Sequence, residues 1–336
     1  MQTEIPKKSY AIVMHERGGP EVLKYEQVAT PDPLENEVLV RVHAATVNHT
    51  DLFHRTGQFY IQKDLPHVLG MDVAGEIVRL GENVSEWSIG DRVVATFEAL
   101  GRERNGAYSE YTTLPVDQLH RIPDGLSYTN AASIGLAFTT AWIALFYAGN
   151  LQAEDRVIVH AASSGVGTAA VQIASWVGAQ CFAITSPVKA ESLRKLGADF
   201  VLDRTEAGLV EIVDKVTEGQ KASLVLDLVG KPTLQESIHF VGRNGRIVCV
   251  GALGGEVAEN NVMDLIMKNA TLRGSFDTIK AEDFDTILRL FADGTFKPVI
   301  DSVLPLADAR RAHERIEAKM VSGKIVLVPE INRRKH

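Results

Sequence analysis

The stretch "HAASSGVGTAA", residues 160–170, follows the apolar run Val157–Val159 and leads into a pattern of small residues with helical spacing. An apolar strand, a glycine-containing turn and a helix in this order are typical of a dinucleotide-binding unit, in which the helix N-terminus faces a phosphate. The turn departs from the usual G-x-G-x-x-G, because Ala162 stands where the pattern begins and Ser164 stands at its second glycine. Two interpretations therefore remain: a phosphate-binding turn, or a tight turn that only packs within an α/β core.

A bound phosphate needs backbone N–H groups aimed at it and no side chain that blocks its approach. Gly165 and Gly167 leave that space, and Gly167 also allows the helix to pack closely on the first strand. Ser164 adds a hydroxyl to its own N–H, and Ala162 is small enough for the turn if its φ is negative. If the stretch binds a dinucleotide, the predicted contacts are Ser163, Ser164, Gly165, Val166 and Gly167.

The second predicted strand, "CFAITS" (181–186), ends about 20 residues beyond the turn, where such units meet the adenosine ribose. An Asp or Glu there accepts a hydrogen bond from the ribose 2′-hydroxyl, but this chain has Thr185 and Ser186, followed by Lys189. Hydroxyl groups and an ammonium suit a 2′-phosphate, so NADPH is favoured over NADH. Lys189 is also suited to be a solvated residue in the first turn of a helix.

The middle of the chain alternates short apolar strands with helical patterns, which indicates an α/β fold with a parallel sheet covered on both faces. Residues 1–125 instead alternate β-like runs with Gly and Pro, which predicts a β-rich domain. The strands predicted for the parallel sheet are Val157–His160, Cys181–Ile184, Phe200–Leu202, Ser223–Asp227, Arg246–Val250 and Thr271–Ser275.

Composition excludes several classes of function. The 336 residues are 45% hydrophobic and 23% charged, as in a globular protein long enough for two domains, and the net charge of −8 does not favour a nucleic-acid surface. No uninterrupted apolar stretch reaches the roughly 20 residues of a membrane span, and the N-terminus has no apolar signal segment. Cys181 and Cys249 are too few for a disulfide framework or a Cys-based zinc site. We therefore expect a cytoplasmic protein that binds neither nucleic acid nor membranes.

Further motifs surround the turn in a specific order. They are "VNHTDLFHRTGQFY" (47–60), "LPHVLGMDVAGEIVRLGENVSEWSIGDRVVA" (65–95), "GAYSEYTTLP" (106–115), "AASIGLAFTTAW" (131–142), "GADFVLD" (197–203), "VLDLVG" (225–230), "GRIVCVGALGG" (245–255) and "GKIVLV" (323–328). With these motifs, nearly the whole chain resembles the medium-chain dehydrogenase/reductase superfamily, in its zinc-free branch similar to quinone oxidoreductases. The resemblance implies a GroES-like β-rich catalytic domain (1–125 and 276–336), a Rossmann NADP-binding domain with a six-stranded parallel sheet (126–275), and an active-site cleft between them.

The resemblance also implies where a metal would lie. Zinc-containing members hold the catalytic ion with a Cys, a His and a second Cys beside a Glu, and the matching residues here are Asn48, Met71, Leu136 and Asp72. Asn, Met and Leu are not the thiolate and imidazole donors that zinc needs, so no metal site is predicted. Alcohol oxidation would then lack a Lewis acid, whereas an electron-poor conjugated carbonyl needs only hydrogen bonds and a proton.

Three residues are predicted to form the catalytic site. The N-x-x-D pattern here is similar to that of quinone oxidoreductases. The amide of Asn48 can donate to a carbonyl oxygen or position the nicotinamide. The alternative is an Asn that only forms a turn. Asp51 is predicted to hold the loop in place rather than to act as a general acid. Tyr60 is predicted to place its hydroxyl at the mouth of the cleft, or else only to cover a loop.

Other cofactor contacts are implied by the resemblance. They comprise a residue near the pyrophosphate, a hydroxyl on the helix before the turn, groups after the fourth and fifth strands, and a basic residue in the last strand, and each has a packing alternative. These residues are His49, Thr140, Val229, Gly251, Leu253 and Lys324, in addition to Ser186 and Lys189.

The expected function is NADPH-dependent, zinc-independent reduction of a small electrophile, a quinone or an α,β-unsaturated carbonyl compound. One alternative is an enoyl-thioester (enoyl-CoA) reductase, in which Arg55, Arg102 and Arg104 would supply a basic patch for the coenzyme A phosphates. Another is a non-catalytic NADPH-binding structural or regulatory protein. The segment "NATLRGSF" (269–276) is predicted to be a sheet edge that pairs across a two-fold axis, which implies a homodimer or a tetramer.

Overall fold

The computed structural model describes residues 4–58, 64–96 and 100–330. The chain forms two compact units. The β-rich unit takes in Met1–Leu136, Asp285–Gly294 and Pro298–His336, and the α/β unit takes in Ala137–Phe284 and Thr295–Lys297. The domain limits 1–125, 126–275 and 276–336 remain a prediction.

The secondary structure follows in chain order. The strands are β1 (Lys8–Met14), β2 (Leu23–Ala29), β3 (Glu37–Val47), β4 (His67–Val68), β5 (Asp72–Leu80), β6 (Arg92–Thr96), β7 (Tyr111–Pro115), β8 (His120–Arg121), β9 (Arg156–Val159), β10 (Gln180–Thr185), β11 (Phe200–Asp203), β12 (Ala222–Asp227), β13 (Val241–Cys249), β14 (Thr271–Gly274), β15 (Ile300–Pro305) and β16 (Lys324–Val328). The helices are α1 (His49–Thr56), α2 (Tyr128–Trp142), α3 (Gly165–Val177), α4 (Ala190–Lys195), α5 (Leu209–Val216), α6 (Leu234–Phe240), α7 (Val262–Lys268), α8 (Ala281–Ala292) and α9 (Ala309–Glu317).

The β-rich unit is built around β3. A seven-stranded sheet runs in the order β15-β16-β3-β5-β6-β8, with β7 also paired to β3, and a three-stranded sheet has the order β2-β1-β4. The register places Thr46 of β3 opposite Asp72 of β5, and Asp72 opposite Thr96 of β6. β16 pairs with β3 on its other side, and Lys324 is its first residue. The sheet therefore gathers polar side chains from four separate strands.

The α/β unit has the predicted six-stranded parallel sheet, in the order β11-β10-β9-β12-β13-β14. Its central strands are buried and apolar because helices cover both faces of such a sheet. The strand order reverses between β9 and β12, which is where open α/β sheets hold ligands. β14 forms one edge, as predicted, and all four of its residues are exposed.

Some details differ from the sequence-based expectation. β13 begins at Val241 rather than at Arg246, since its pairing with β12 continues past an irregularity between Ala222 and Leu224. The helical stretch Tyr128–Ala148 is long and apolar enough to cross a membrane by length and composition, although polar residues such as Asn130 and Thr139 interrupt its apolar sequence. Most of it is buried within the protein, as the core helix of a globular protein is.

Candidate active site

The turn after β9 arranges the backbone N–H groups at the N-terminus of α3 so that they can bind an anion. Ser164 is the N-cap residue, and its Oγ accepts the N–H of Gly167 at 3.0 Å. A Cβ on Gly167 would lie 2.4 Å from the carbonyl oxygen of Ala161, so only glycine allows the helix to come this close to the turn. The first N–H groups of a helix have no partner within it, and here Gly165 and Val166 supply them. The turn thus has the donors that a phosphate requires.

Two features of the turn refine the prediction. The unusual backbone conformation belongs to Ala161, with φ at 48°, and not to its neighbour Ala162. The N–H of Ser164 donates to the Ala161 carbonyl at 2.9 Å, so its hydroxyl hydrogen is what it offers to a ligand. Ser163 is nearly buried, and its Oγ accepts a hydrogen bond from Thr185 at 3.0 Å.

The chain beyond β10 lies beside the chain beyond β11. Ser186 and Lys189 follow this strand and are half-buried. Arg204, which no sequence motif indicated, follows β11, and its backbone N–H donates to the carbonyl of Thr185 at 2.9 Å. Because β10 and β11 pair in parallel, with Thr185 opposite Asp203, the residues that follow both strands are neighbours. The sequence shows that Arg204 follows a predicted strand, but it does not show that this strand pairs with β10.

The loops after β12 and β13 hold each other in place. The N–H of Val229 donates to Asp227 Oδ1 at 2.9 Å, and its carbonyl accepts the N–H of Gly254 at 2.7 Å. Gly251 and Leu253 lie in the second loop, and Leu253 is exposed. The N–H of Val229 is therefore used within the protein. Its carbonyl oxygen accepts one hydrogen bond there and has a second lone pair that could accept another from a ligand.

A buried histidine lies next to these loops. Ser237 donates to Asp227 Oδ2 at 2.8 Å, and its Oγ lies 3.0 Å from His160 Nε2. Because the serine hydrogen goes to the carboxylate, the imidazole Nε2 must donate to the serine oxygen. Burial lowers the pKa of His160, and the nearby Asp227 carboxylate opposes this shift.

In the β-rich unit, the carboxylate of Asp72 is a buried centre of hydrogen bonds. Oδ1 accepts from Thr96 Oγ1 at 2.5 Å and from the backbone N–H of Leu136 at 2.7 Å, and Oδ2 accepts from Thr46. Burial alone would raise the pKa of Asp72, but Lys324 and the hydrogen-bond donors outweigh it and hold the pKa below its usual value. The carboxylate is therefore ionised.

A break in α2 provides the Leu136 donor. Gly135 has non-helical angles (φ −17°, ψ −115°), and the interruption frees the N–H of Leu136 from the helix. A Cβ on Gly135 would lie 2.1 Å from Asp72 Oδ1 and 2.8 Å from Thr96 Oγ1. The close approach of the helix backbone to the carboxylate thus requires glycine.

Lys324 completes the cluster, and its predicted contact with the cofactor remains a prediction. It is only 5% exposed, and its Nζ donates to Asn48 Oδ1 and lies 3.3 Å from Asp72 Oδ2. The amide Nδ2 of Asn48 donates to the same Oδ2 at 2.8 Å. The ammonium thus lies beside Asn48 and Asp72.

Asp51 holds the start of α1 in place. Its Oδ2 accepts the N–H of Asn48 at 2.8 Å, and its Oδ1 accepts the N–H of Gly70 at 3.0 Å. Burial raises the pKa of Asp51 to about 7, although these two N–H groups lower it. The side chain is fully buried.

A chain of buried side chains continues from Asp51, and no sequence motif revealed it. Tyr108 Oη lies 3.2 Å from Asp51 Oδ2 and 3.3 Å from His313 Nε2, while Arg55 Nη1 lies 3.3 Å from His313 Nδ1. Since arginine has only donors, Nδ1 accepts, Nε2 donates to the tyrosine, and the tyrosine donates to Asp51. Arg55 is also paired with Glu317. The network connects the Asn48 loop to α9.

The remaining predicted residues are more scattered. The side chain of His49 is exposed at the start of α1, and Thr140 is half-buried near the end of α2. Tyr60 lies outside the described residues. The arginines considered for coenzyme A are engaged elsewhere: Arg102 pairs with Glu103 and Arg104 with Glu37, while Arg55 is buried.

The fold and these sites define a two-unit dehydrogenase/reductase. Residues 34–124 match the alcohol dehydrogenase GroES-like domain, and residues 196–327 match a domain described as zinc-binding dehydrogenase. A quinone oxidoreductase of Sus scrofa is 31% identical over 326 residues, which cover 95% of this chain and 97% of the relative.

Solved structures agree with this class. The Escherichia coli quinone oxidoreductase complexed with NADPH is 31% identical, with a TM-score of 0.86 over 95% of this chain and 100% of that one. An NAD-dependent alcohol dehydrogenase is 34% identical, with a TM-score of 0.89 over 95% and 99%. The chain belongs to the quinone oxidoreductase family of the medium-chain dehydrogenase/reductase superfamily, and it is an oxidoreductase.

The zinc that one domain description names does not fit the residues present. Asn48 and Asp72, the oxygen donors of the cluster, already bind the Lys324 ammonium, and Met71 and Leu136 are apolar neighbours. Among the described residues, no group of three or more His, Cys, Asp or Glu side chains is arranged to hold a metal. A metal ion at this position would be repelled by the positive charge of Lys324.

Proposed function

We propose that the protein is an NADPH-dependent, zinc-independent reductase of quinones or α,β-unsaturated carbonyl compounds. The observation that carries this proposal is the buried Lys324 ammonium between Asn48 and Asp72. An alcohol must lose a proton and a hydride, for which a metal is the usual Lewis acid. A conjugated carbonyl only gains negative charge on oxygen, which hydrogen-bond donors stabilise.

The proposed chemistry uses the amide of Asn48. The nicotinamide cofactor supplies a hydride when it is bound. As hydride reaches a quinone, or the β-carbon of an unsaturated carbonyl compound, electrons move to the carbonyl oxygen, and an N–H of Asn48 donates to that oxygen. A proton from water completes the reaction and gives the hydroquinone or the saturated carbonyl compound.

The preference for NADPH is supported by charge at the ends of β10 and β11. Ser186, Lys189 and Arg204 provide a hydroxyl and two cations, and the carboxylate of Asp203, the last residue of β11, accepts the N–H and hydroxyl of Thr205. We expect Lys189→Ala and Arg204→Ala each to raise the Kd of NADPH roughly tenfold, about 1.4 kcal/mol, and to leave that of NADH unchanged. Fluorescence titration with both cofactors measures this, with exposed Lys195→Ala as the control. Equal losses for the two cofactors would show that these cations do not recognise the 2′-phosphate.

A substrate panel tests the proposed reaction. NADPH oxidation is followed with a benzoquinone, a 2-alkenal and an enoyl-CoA, and NADP reduction is followed with an alcohol. Turnover of the quinone or the alkenal is expected, with a loss of roughly a hundredfold in kcat for Asn48→Ala. Turnover confined to enoyl-CoA would favour the thioester reductase, and cofactor binding without any turnover would favour a non-catalytic protein. Alcohol oxidation alone would overturn the proposal.

We also propose a homodimer formed through β14. The four residues of this edge strand are exposed, and α7 beside it exposes Val262, Met263, Ile266 and Met267. An open edge with a neighbouring apolar face is a surface that pairing of two copies would cover. Light scattering is expected to show a dimer that Ile266→Glu dissociates, while the exposed control Val188→Glu leaves it intact. A monomer in the wild type would contradict this, and a tetramer would require a second interface.

A further inference from the structure

Three side chains from distant parts of the chain form a closed triangle in the β-rich unit. Lys324 Nζ donates to Asn48 Oδ1, Asn48 Nδ2 donates to Asp72 Oδ2 at 2.8 Å, and Lys324 Nζ lies 3.3 Å from the same Oδ2. Each of the three residues is at most 8% exposed. Every contact therefore operates where water competes little.

The triangle sets which way the amide of Asn48 points. A lysine ammonium has only donors, and an ionised carboxylate has only acceptors. The observed orientation gives the amide oxygen to the ammonium and the amide NH₂ to the carboxylate. The flipped amide would place NH₂ against Nζ and its oxygen against Oδ2, two repulsive contacts in a buried site. The ion pair thus selects one orientation.

The selected orientation leaves a donor to spare. One hydrogen of Asn48 Nδ2 goes to Asp72, and within the described ranges the other has no acceptor. An amide whose oxygen accepts from a cation is polarised, which strengthens its N–H groups as donors. The spare N–H is therefore aligned and strengthened by Lys324 before any ligand arrives.

We propose that Lys324, balanced by Asp72, is a positioning residue that orients and polarises the Asn48 amide for donation to the substrate carbonyl oxygen. This rests on the proposed function, in which Asn48 contacts that oxygen. The charge acts through the amide, and the carboxylate keeps the buried ammonium compensated. A lysine with only a packing role would leave the donor strength of Asn48 unchanged.

Paired variants separate the two roles. Lys324→Met leaves Asp72 buried without its cation, so both the Tm and kcat should fall. The double variant Lys324→Met/Asp72→Asn leaves no unpaired buried charge, so we expect the Tm to recover in part, although the new amide cannot accept from every donor that Asp72 binds. Its kcat should stay roughly tenfold low, with the Kd of NADPH unchanged. Lys324→Arg, which keeps the charge, should recover part of kcat. Return of kcat together with the Tm in the double variant would overturn the proposal.

A spectroscopic measurement tests the inference without turnover. The side-chain ¹⁵N–¹H signals of Asn48, assigned by their loss in Asn48→Ser, report the donor strength of its N–H groups. We expect an upfield shift of the amide protons in Lys324→Met, which keeps the Asp72 acceptor, and no shift in the control Lys195→Met. Unmoved signals would overturn the role of Lys324. A wild-type protein inactive on the whole panel would instead overturn the proposed function, while the amide shift would still report on the triangle.

Discussion

The two candidate sites are built on different principles. The turn of the α/β unit is assembled from consecutive residues, 160–167, and works mainly through backbone groups and the absence of side chains. The cluster of the β-rich unit is assembled from charged and polar side chains, with Asp72 lying 24 residues from Asn48 and 252 from Lys324 in sequence. A local site depends on glycine and capping geometry, whereas a nonlocal site depends on charge balance and sheet register.

This contrast has a consequence for how each site fails. In the turn, an added Cβ displaces one helix from one loop. In the cluster, one altered side chain leaves several buried polar partners unsatisfied, and an unsatisfied buried group costs about 1–3 kcal/mol. The cluster should therefore be the less tolerant of the two sites.

The largest effect is expected for Gly135→Ala. The new Cβ would lie 2.1 Å from Asp72 Oδ1, so the helix break and the carboxylate must separate. We expect a loss of about 3 kcal/mol in the free energy of unfolding of the β-rich unit, measured by urea unfolding with hydrogen exchange to follow each unit. Gly274→Ala is the control, since a Cβ there meets nothing within 4 Å. Equal losses in both variants would mean that the cluster does not depend on this close approach.

The next effect is expected for Gly167→Ala in the turn. The Cβ would lie 2.4 Å from the Ala161 carbonyl oxygen and 2.6 Å from the Ala162 Cα, so α3 must move away from the phosphate-binding loop. We expect the Kd of NADPH to rise roughly thirtyfold, about 2 kcal/mol, with unchanged hydrogen exchange around Asp72. Changes in exchange that spread to the Asp72 cluster would break the distinction between a local and a nonlocal site.

The same contrast explains what the sequence could predict. The parallel sheet, its edge at β14 and the Gly167 packing follow from patterns within a few residues, and the structure confirms that fold. The contact of Lys324 with Asn48, 276 residues away, was not predicted, because nothing near Lys324 in sequence indicates it. The link between Tyr108 and His313 spans 205 residues and depends on sheet register and helix docking, which no local pattern encodes.

Even within the local site, one feature escaped prediction. The sequence shows an alanine in place of the first glycine, but it does not show which of Ala161 and Ala162 has a positive φ. That choice depends on the hydrogen bonds of the turn, in which the Ala161 carbonyl accepts from Ser164. Arg204 was missed for a related reason, because its position depends on which strand pairs with β10.

A smaller effect is expected on the pH dependence of stability, which we compare for two buried histidines, one in each unit. Burial and then Arg55 lower the pKa of His313 to about 3, whereas Asp227 opposes the lowering at His160. The unfolded chain binds a proton at His313 below pH 6.5 while the folded protein does not. Stability from this group is therefore complete above pH 6.5 and is lost towards pH 3, by about 1.4 kcal/mol per pH unit.

His313→Gln should remove that dependence from the β-rich unit. The amide can accept from Arg55 and donate to Tyr108, so the network is kept without a titrating group. Urea unfolding at pH 7, 6 and 5 measures the slope, with His15→Gln, at an exposed site, as the control. A larger change in slope for His160→Gln than for His313→Gln would contradict the different roles of the two neighbouring charges.

The smallest effect separates capping from ligand binding at Ser164. Its Oγ accepts the N–H of Gly167, so Ser164→Ala should lower the free energy of unfolding of the α/β unit by about 1 kcal/mol. Ser164→Gly, which creates the second glycine of the usual motif, should cost only a few tenths, since glycine is tolerated at an N-cap. If the hydroxyl hydrogen also meets the phosphate, both variants should weaken NADPH binding equally, despite their different stabilities. If the affinity for NADPH instead falls in proportion to the loss of stability, the serine acts only as a helix cap. The turn would then bind its ligand entirely through backbone groups, which would sharpen its difference from the side-chain cluster around Asp72.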